Sequence, residues 1–174
     1  EYVSLPVENF LHIPEGLVYE AAAMATDAVN TNWHCMKERA KVNPHDQVLL
    51  IGAGGGVGIH GVQVAKAFGA RVIAMDVSDE KLELARQWGA DEVIHVKKEK
   101  DLVAAVKKLT DGRGVDAAVD YVGHAQTFQV AYDSLTTSGR AVVIGVGKGD
   151  IVVPTRPLML TEKTITGSRH STRT

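Results

Sequence analysis

From residue 47 onward the chain repeats one pattern: a short run of β-branched and aliphatic residues, then a stretch with helical spacing. The runs are VLLIG (48–52), RVIAMD (71–76), EVIHV (92–96), VDAAVDYVG (115–123) and RAVVIGV (140–146). The helical stretches span 57–68, 78–88, 101–109 and 125–135. Runs with so little polar alternation suit strands buried on both faces, and helices between them imply right-handed parallel crossovers. The pattern therefore predicts an α/β chain with a doubly wound parallel sheet.

Local punctuation agrees. Ser78 precedes DEKLELARQW as an N-cap, with acids in the first turn where the helix dipole favours them, and Gly89 supplies a stop. Leu82, Ala85 and Trp88 recur at helical spacing and are expected to face the sheet. TDGRG and TTSG read as turns before the fourth and fifth strands. Residues 1–37 differ in character: EYVSLP reads as extended, HIPEG as a turn, and YEAAAMATDAVNTNWHCMK as helical. They are expected to attach the sheet unit to another domain. The chain opens on Glu1 and runs to Thr174, and reads as a piece of a longer protein.

The glycines after the first run carry the chemistry. A diphosphate is held at a helix start, where unpaired backbone N–H groups and the positive dipole end meet its charge. Ala53, Gly55 and Gly58 give A-x-G-x-x-G. The first position is expected to serve the tight turn, Gly55 the close approach of a ligand, and Gly58 helix-to-strand contact. Gly61, a turn later, is expected to bring the helix closer still. Asp76 ends the second run 18 residues beyond Gly58, the spacing at which a carboxylate reaches ribose hydroxyls in a Rossmann unit. A 2′-phosphate beside that carboxylate would be repelled, so the pair points to NAD rather than NADP. A methyl-donor site of an S-adenosylmethionine methyltransferase also has a glycine turn and an acid, and stays open as an alternative.

Other classes recede. The net charge of −2, with acids and bases interspersed, gives no basic stripe for nucleic acid. No apolar run approaches the ~20 residues that cross a bilayer. A single cysteine, Cys35, fits a reducing, cytoplasmic setting and reads as core packing. The seven histidines are scattered without H-E-x-x-H spacing and read as surface or packing residues, His170 being the one to watch.

With these residues in hand, the chain resembles the medium-chain dehydrogenases of the zinc-dependent alcohol dehydrogenase type. The likeness runs from EYVSLP and IPEG through AAAMATDAVNTNWH, GAGGGVGIHGVQVAKAFGARVIA, LELARQWGADEVI, GVDAAVDYVG and GRAVVIGV to ITGSR. The resemblance implies a six-stranded Rossmann sheet, its last strand TITGS, preceded by the end of a GroES-like catalytic domain. It divides the chain into 1–37, the edge of that domain with a connecting helix, and 38–174, the NAD-binding domain.

The resemblance also implies roles. Gly56 and Val57 match the pair whose amides meet the pyrophosphate, Val57 lying behind the nicotinamide. Asp76 and Lys81 match residues that hold the adenosine ribose, and Val122 one on the adenosine side. Ile144, Gly145 and Val146 match the strand end that meets the carboxamide, with the backbone of residues 168–170. Asp27 stands where many members carry a zinc-binding cysteine, and an Asp oxygen can bind zinc. Thr31, one helical turn on, matches a threonine at the nicotinamide ring. The implied activity is hydride transfer between an alcohol, or its ketone or aldehyde, and NAD, with zinc polarising the oxygen in the longer enzyme. The implied partners are a small-molecule substrate and, through an edge formed by DIVVP and TITGS, a second or further copies in a homodimer or homotetramer. A zinc-free quinone or enoyl reductase and a non-catalytic NAD-binding module remain alternatives.

Overall fold

The computed structural model describes residues 3–170; residues 1–2 and 171–174, the outer ends of the two expected segments, lie outside the described residues. Six parallel strands form one sheet: β1 (Gln47–Ile51), β2 (Arg71–Asp76), β3 (Glu92–His95), β4 (Val115–Asp120), β5 (Leu135–Val143) and β6 (Thr164–Gly167), in the order β3-β2-β1-β4-β5-β6. The order reverses direction between β1 and β4, as in a doubly wound sheet.

Residue alternation shows why these runs become central strands. Val48, Leu50, Val72, Ala74, Ala117 and Val119 pack into one core, while Leu49, Ile51, Ile73, Met75 and Ala118 pack into the other. Strands β1, β2 and β4 thus bury both faces, which their few polar residues allow. The first core is roofed by α3 (Gly58–Ala67), by Ala85 of α4 (Asp79–Gln87), and by the end of a helical run at 19–39. The second is roofed by α5 (Leu102–Leu109) and α6 (Ala125–Asp133).

The run at 19–39 alternates α-helical α1 (Tyr19–Met24) and α2 (Asn30–His34) with π-helical turns at Ala25–Val29 and Cys35–Arg39. Its first half is largely exposed; from Ala28 on, Thr31, Asn32, His34, Cys35 and Met36 are buried. No helix among the described residues is long and apolar enough to cross a membrane.

Four local expectations change. Trp88 is 51% exposed, because it caps the end of α4 while Leu82 and Ala85 take the sheet-facing positions. TTSG lies inside β5: the register jumps from Val115↔Leu135 to Ala117↔Arg140, Ser138 takes φ 58°, and the bulge absorbs the extra residues. DIVVP forms no strand; Ile151 and Val153 pack on the second core, and a short helix, α7 (Thr155–Thr161), follows Pro154. The tight turn pivots on Gly52 (φ 77°) rather than on Ala53, which is buried.

Candidate functional site

The strand order reverses between β1 and β4, and a cleft of about 480 Å³ opens beyond their carboxyl ends. Its lining includes Ile51, Gly52, Gly55, Gly56, Val57, Gly58, Asp76, Val77, Lys81, Val96, Tyr121, Val122 and Thr127. Open α/β sheets bind ligands at this position for a topological reason: crossovers leave in opposite directions and cannot fill the gap.

The turn is shaped by missing side chains. Gly52 takes a left-handed conformation while its N–H and that of Ala53 both donate to the Met75 carbonyl, at 2.8 and 3.1 Å. At Gly58 a Cβ would lie 2.3 Å from the Gly52 carbonyl oxygen, so only glycine lets α3 start this close to β1. At Gly56 a Cβ would meet nothing within 4 Å, since the residue faces the open cleft. No carbonyl among the described residues accepts from the N–H of Gly56, Val57 or Gly58. These donors begin a helix of 10 residues, where dipole and orphan N–H groups together favour an anion.

Asp76 is buried, 6% exposed, at the end of β2. Its Oδ2 accepts the Gly54 N–H at 2.9 Å and its Oδ1 accepts the Val77 N–H at 2.7 Å. One bond on each oxygen fixes the carboxylate plane and leaves further lone pairs toward the cleft. Lys81, in the first turn of α4, lies across the glycine turn: a Cβ on Gly54 would be 2.3 Å from the Lys81 Cβ. Ser78 Oγ accepts the Lys81 N–H at 3.4 Å, which starts that helix beside Asp76. On the other wall, buried Asp120 accepts the Val122 N–H at 2.8 Å and the Thr127 hydroxyl at 2.8 Å.

Seven residues singled out from the sequence, Gly55, Gly56, Val57, Gly58, Asp76, Lys81 and Val122, thus share one cleft. Gly145 and Val146 do not line it; they sit in the loop after β5. A Cβ on Gly145 would be 2.3 Å from the Val122 carbonyl carbon, and Val146 is fully exposed. Gly145 N–H donates to the Asp120 carbonyl at 3.1 Å, which ties that loop to β4. Ser168 N–H donates to the Val143 carbonyl at 2.9 Å, beside the same loop.

Asp27 is exposed in the first π turn, and the Thr31 hydroxyl lies 3.4 Å from its Oδ1. Asp27 is thus one oxygen donor of the kind zinc accepts. A tetrahedral zinc takes three protein donors in a catalytic site, and among the described residues no group of three His, Cys, Asp or Glu converges. Asp27 fits as a single member of such a set. Cys35 is fully buried, and burial pushes its thiol up to about 12, so it is an uncharged packing group.

Sequence reasoning missed Asn32, Asp120, Tyr121 and Thr127. Asn32 is fully buried and bonded to both Val57 and Tyr121, partners 25 and 89 residues away. The sequence signal nearest to it in the fold is Gly61 of α3: a glycine inside a helix marks a place where something else needs the space.

The sequence model of the zinc-binding dehydrogenase family matches residues 56–174. The NAD-dependent alcohol dehydrogenase of Saccharolobus solfataricus is 32% identical over 169 residues, 97% of this chain and 48% of that protein. The solved alcohol dehydrogenase of the archaeon Aeropyrum pernix aligns with a TM-score of 0.82 at 34% identity, over 92% of this chain and 47% of its own. Acetophenone reductase from Geotrichum candidum, solved in complex with NAD, aligns with a TM-score of 0.79 at 35% identity, over 95% and 45%. The chain spans about half the length of the curated relatives it matches.

Proposed function

The chain belongs to the zinc-binding dehydrogenase family, and from that premise we propose that it is the NAD-binding part of an alcohol dehydrogenase. The observation that carries the reading is the cleft itself: a helix start with unpaired N–H groups, bare at Gly56, facing a carboxylate already oriented by two backbone bonds. Relatives named as alcohol dehydrogenases and a ketone reductase favour it over a methyltransferase, a quinone or enoyl reductase, or a non-catalytic NAD module.

In this reading the Gly56, Val57 and Gly58 N–H groups hold the diphosphate, Gly55 leaves room for its approach, and Asp76 accepts from the adenosine ribose hydroxyls. Lys81 contacts the same sugar from the other side of the turn. Val122 walls the adenosine side, and Val57 backs the nicotinamide. Gly145 and Val146 offer backbone groups to the carboxamide, and the Thr31 hydroxyl stands at the ring. These contacts orient the ring for hydride transfer, and orientation supplies much of the rate in a bimolecular step. Bound NAD supplies the hydride acceptor. Asp27 contributes one oxygen to a zinc whose other ligands come from outside this chain; bound zinc supplies Lewis acidity toward a small alcohol or carbonyl substrate.

We assign residues 38–174 to the cofactor domain and 1–37 to the catalytic domain's edge and connecting helix. That helix is shared in packing, since its second half enters the core of the sheet unit. The reducing setting read from the lone cysteine supports a cytoplasmic location. Exposed Ile165 on β6, which ends the sheet with one side unpaired among the described residues, and exposed Met159 and Leu160 on α7 support assembly into a homodimer or homotetramer.

Titration calorimetry with NAD and NADP tests the proposal. We expect a clear preference for NAD; equal affinities, or none for either, would overturn it.

A further inference from the structure

Three elements meet at Asn32, and none of its side-chain hydrogen-bonding capacity faces water. Its Nδ2 donates to the carbonyls of Ala28 and Val57, each at 2.8 Å, and its Oδ1 accepts the Tyr121 hydroxyl at 2.5 Å. Two carbonyls on one side and a hydroxyl on the other fix which end of the amide is the NH₂. Burial pushes the Tyr121 hydroxyl well above its ordinary range, with Cys35 adding to the effect, so it stays protonated and able to donate.

Helix α3 is notched to admit this contact. A Cβ on Gly61 would sit 2.0 Å from the Tyr121 hydroxyl oxygen and 2.9 Å from the Asn32 Oδ1. Gly61 thus makes room for a hydrogen bond, and not only for closer packing of helix and sheet.

The consequence lies across one peptide plane. The Val57 carbonyl accepts both the Asn32 amide and the Gly61 N–H, the latter at 3.2 Å. In a planar trans peptide the C=O and the following N–H point in opposite directions. Holding the Val57 carbonyl toward Asn32 therefore aims the Gly58 N–H out of the helix start, where Gly56, Val57 and Gly58 line the cleft.

We propose that Asn32, braced by Tyr121, is a positioning residue that orients the Val57–Gly58 peptide so that its N–H is preset for a diphosphate. The inference rests on the dinucleotide reading of the cleft. It also gives the connecting helix, which carries Asp27 and Thr31, a direct hold on the phosphate-binding turn.

The test measures binding of NAD, ADP-ribose and adenosine to the chain and to its Asn32→Ala and Tyr121→Phe variants, with circular dichroism melts alongside. Asn32→Ala is expected to weaken NAD and ADP-ribose about tenfold while adenosine, held by Asp76, stays within roughly twofold. Tyr121→Phe deletes one oxygen and is expected to act in the same direction, by about threefold. If Asn32→Ala does not fold, Tyr121→Phe decides by the same criterion. Equal weakening of adenosine would mean general loosening and would overturn the proposal, as would unchanged NAD affinity in a wild-type chain that binds NAD. A wild-type chain that binds no NAD would instead refute the underlying reading, and the positioning role with it.

Discussion

Replacing Asp76 by asparagine separates the two jobs assigned to that side chain. Both carboxylate oxygens accept backbone N–H groups, from Gly54 at 2.9 Å and Val77 at 2.7 Å, in a residue only 6% exposed. An amide side chain has one carbonyl oxygen, so one of those N–H groups must face an NH₂. Both bonds are only part-buried, and Val77 is half exposed, so the N–H left unpaired costs about 1 kcal/mol, the low end of the range for a buried donor. For a chain of this size that lowers Tm by roughly 2–4 °C. The ligand effect is separate. A charge-assisted bond to ribose becomes a neutral one, a loss of about 1–2 kcal/mol, or roughly five- to thirtyfold in NAD affinity. For NADP the sign reverses, because a unit charge pair at ~4 Å costs about 4 kcal/mol at an effective dielectric of ~20, less in a cleft open to water. Removing that repulsion offsets the lost bond. The NAD-to-NADP affinity ratio should therefore fall at least about fivefold. Calorimetric titration of both cofactors, with a thermal melt of the free chain, reads both effects. An unchanged ratio in a variant of wild-type stability would refute the reasoning.

The glycine turn offers a paired comparison. Gly58→Ala forces a Cβ against the Gly52 carbonyl and is expected to cost at least about 1–3 kcal/mol of stability, read by a urea melt. Gly56→Ala meets nothing within 4 Å; its stability should stay within about 0.5 kcal/mol while NAD binding is lost, and retained binding would count against a diphosphate at that spot. Acid should destabilise the fold through Asp116 and Asp91. Burial alone would raise the Asp116 carboxyl, but the Arg113 side chain, the Gln47 N–H and the charges of Arg113 and Arg140 outweigh it and hold it low. Burial likewise opposes, and Lys66 with the Val72 N–H overcomes, the shift at Asp91. A depressed folded value adds stability that is complete above the unfolded value near about 3.9 and is lost as pH falls through the folded one. The drop in urea midpoint between about pH 6 and about pH 3 should shrink in Asp116→Asn; an unchanged drop would refute the assignment. Finally, the Cys35 thiol, buried and raised to about 12, should resist iodoacetamide in the native chain and react in urea, as followed by mass spectrometry; rapid native labelling would contradict its packing.

Strands β1 and β2 were legible because burial on both faces leaves a nearly unbroken apolar run, and β4 because the buried residues Ala117 to Val119 keep such a run between Asp116 and Asp120. The start of β5 was hidden because TTSG has turn composition, and only the partner strand decides that it bulges instead. Helix α7 was hidden for a related reason: TRPLMLT is short, has Pro157 inside it and makes no side-chain cap. In the cleft, Asp76 and Gly58 could be read from spacing, since both act on the backbone of a local β-α-β unit. Gly52 lies outside the A-x-G-x-x-G spacing, since the left-handed pivot sits one residue earlier than Ala53. Asn32 was out of reach, since a polar residue beside Thr31 on a helix gains its meaning only when Val57 and Tyr121 are folded against it.

The amide spectrum of the isotopically labelled chain puts the central claim to its plainest trial. On adding NAD, the backbone N–H resonances of Gly55 to Gly58, together with those of Gly54 and Val77 that bond Asp76, should move most, and inorganic pyrophosphate should move the Gly56 to Gly58 group alone. If NAD leaves these amides still, or moves instead residues remote from the ends of β1 and β4, the cleft is not a dinucleotide site.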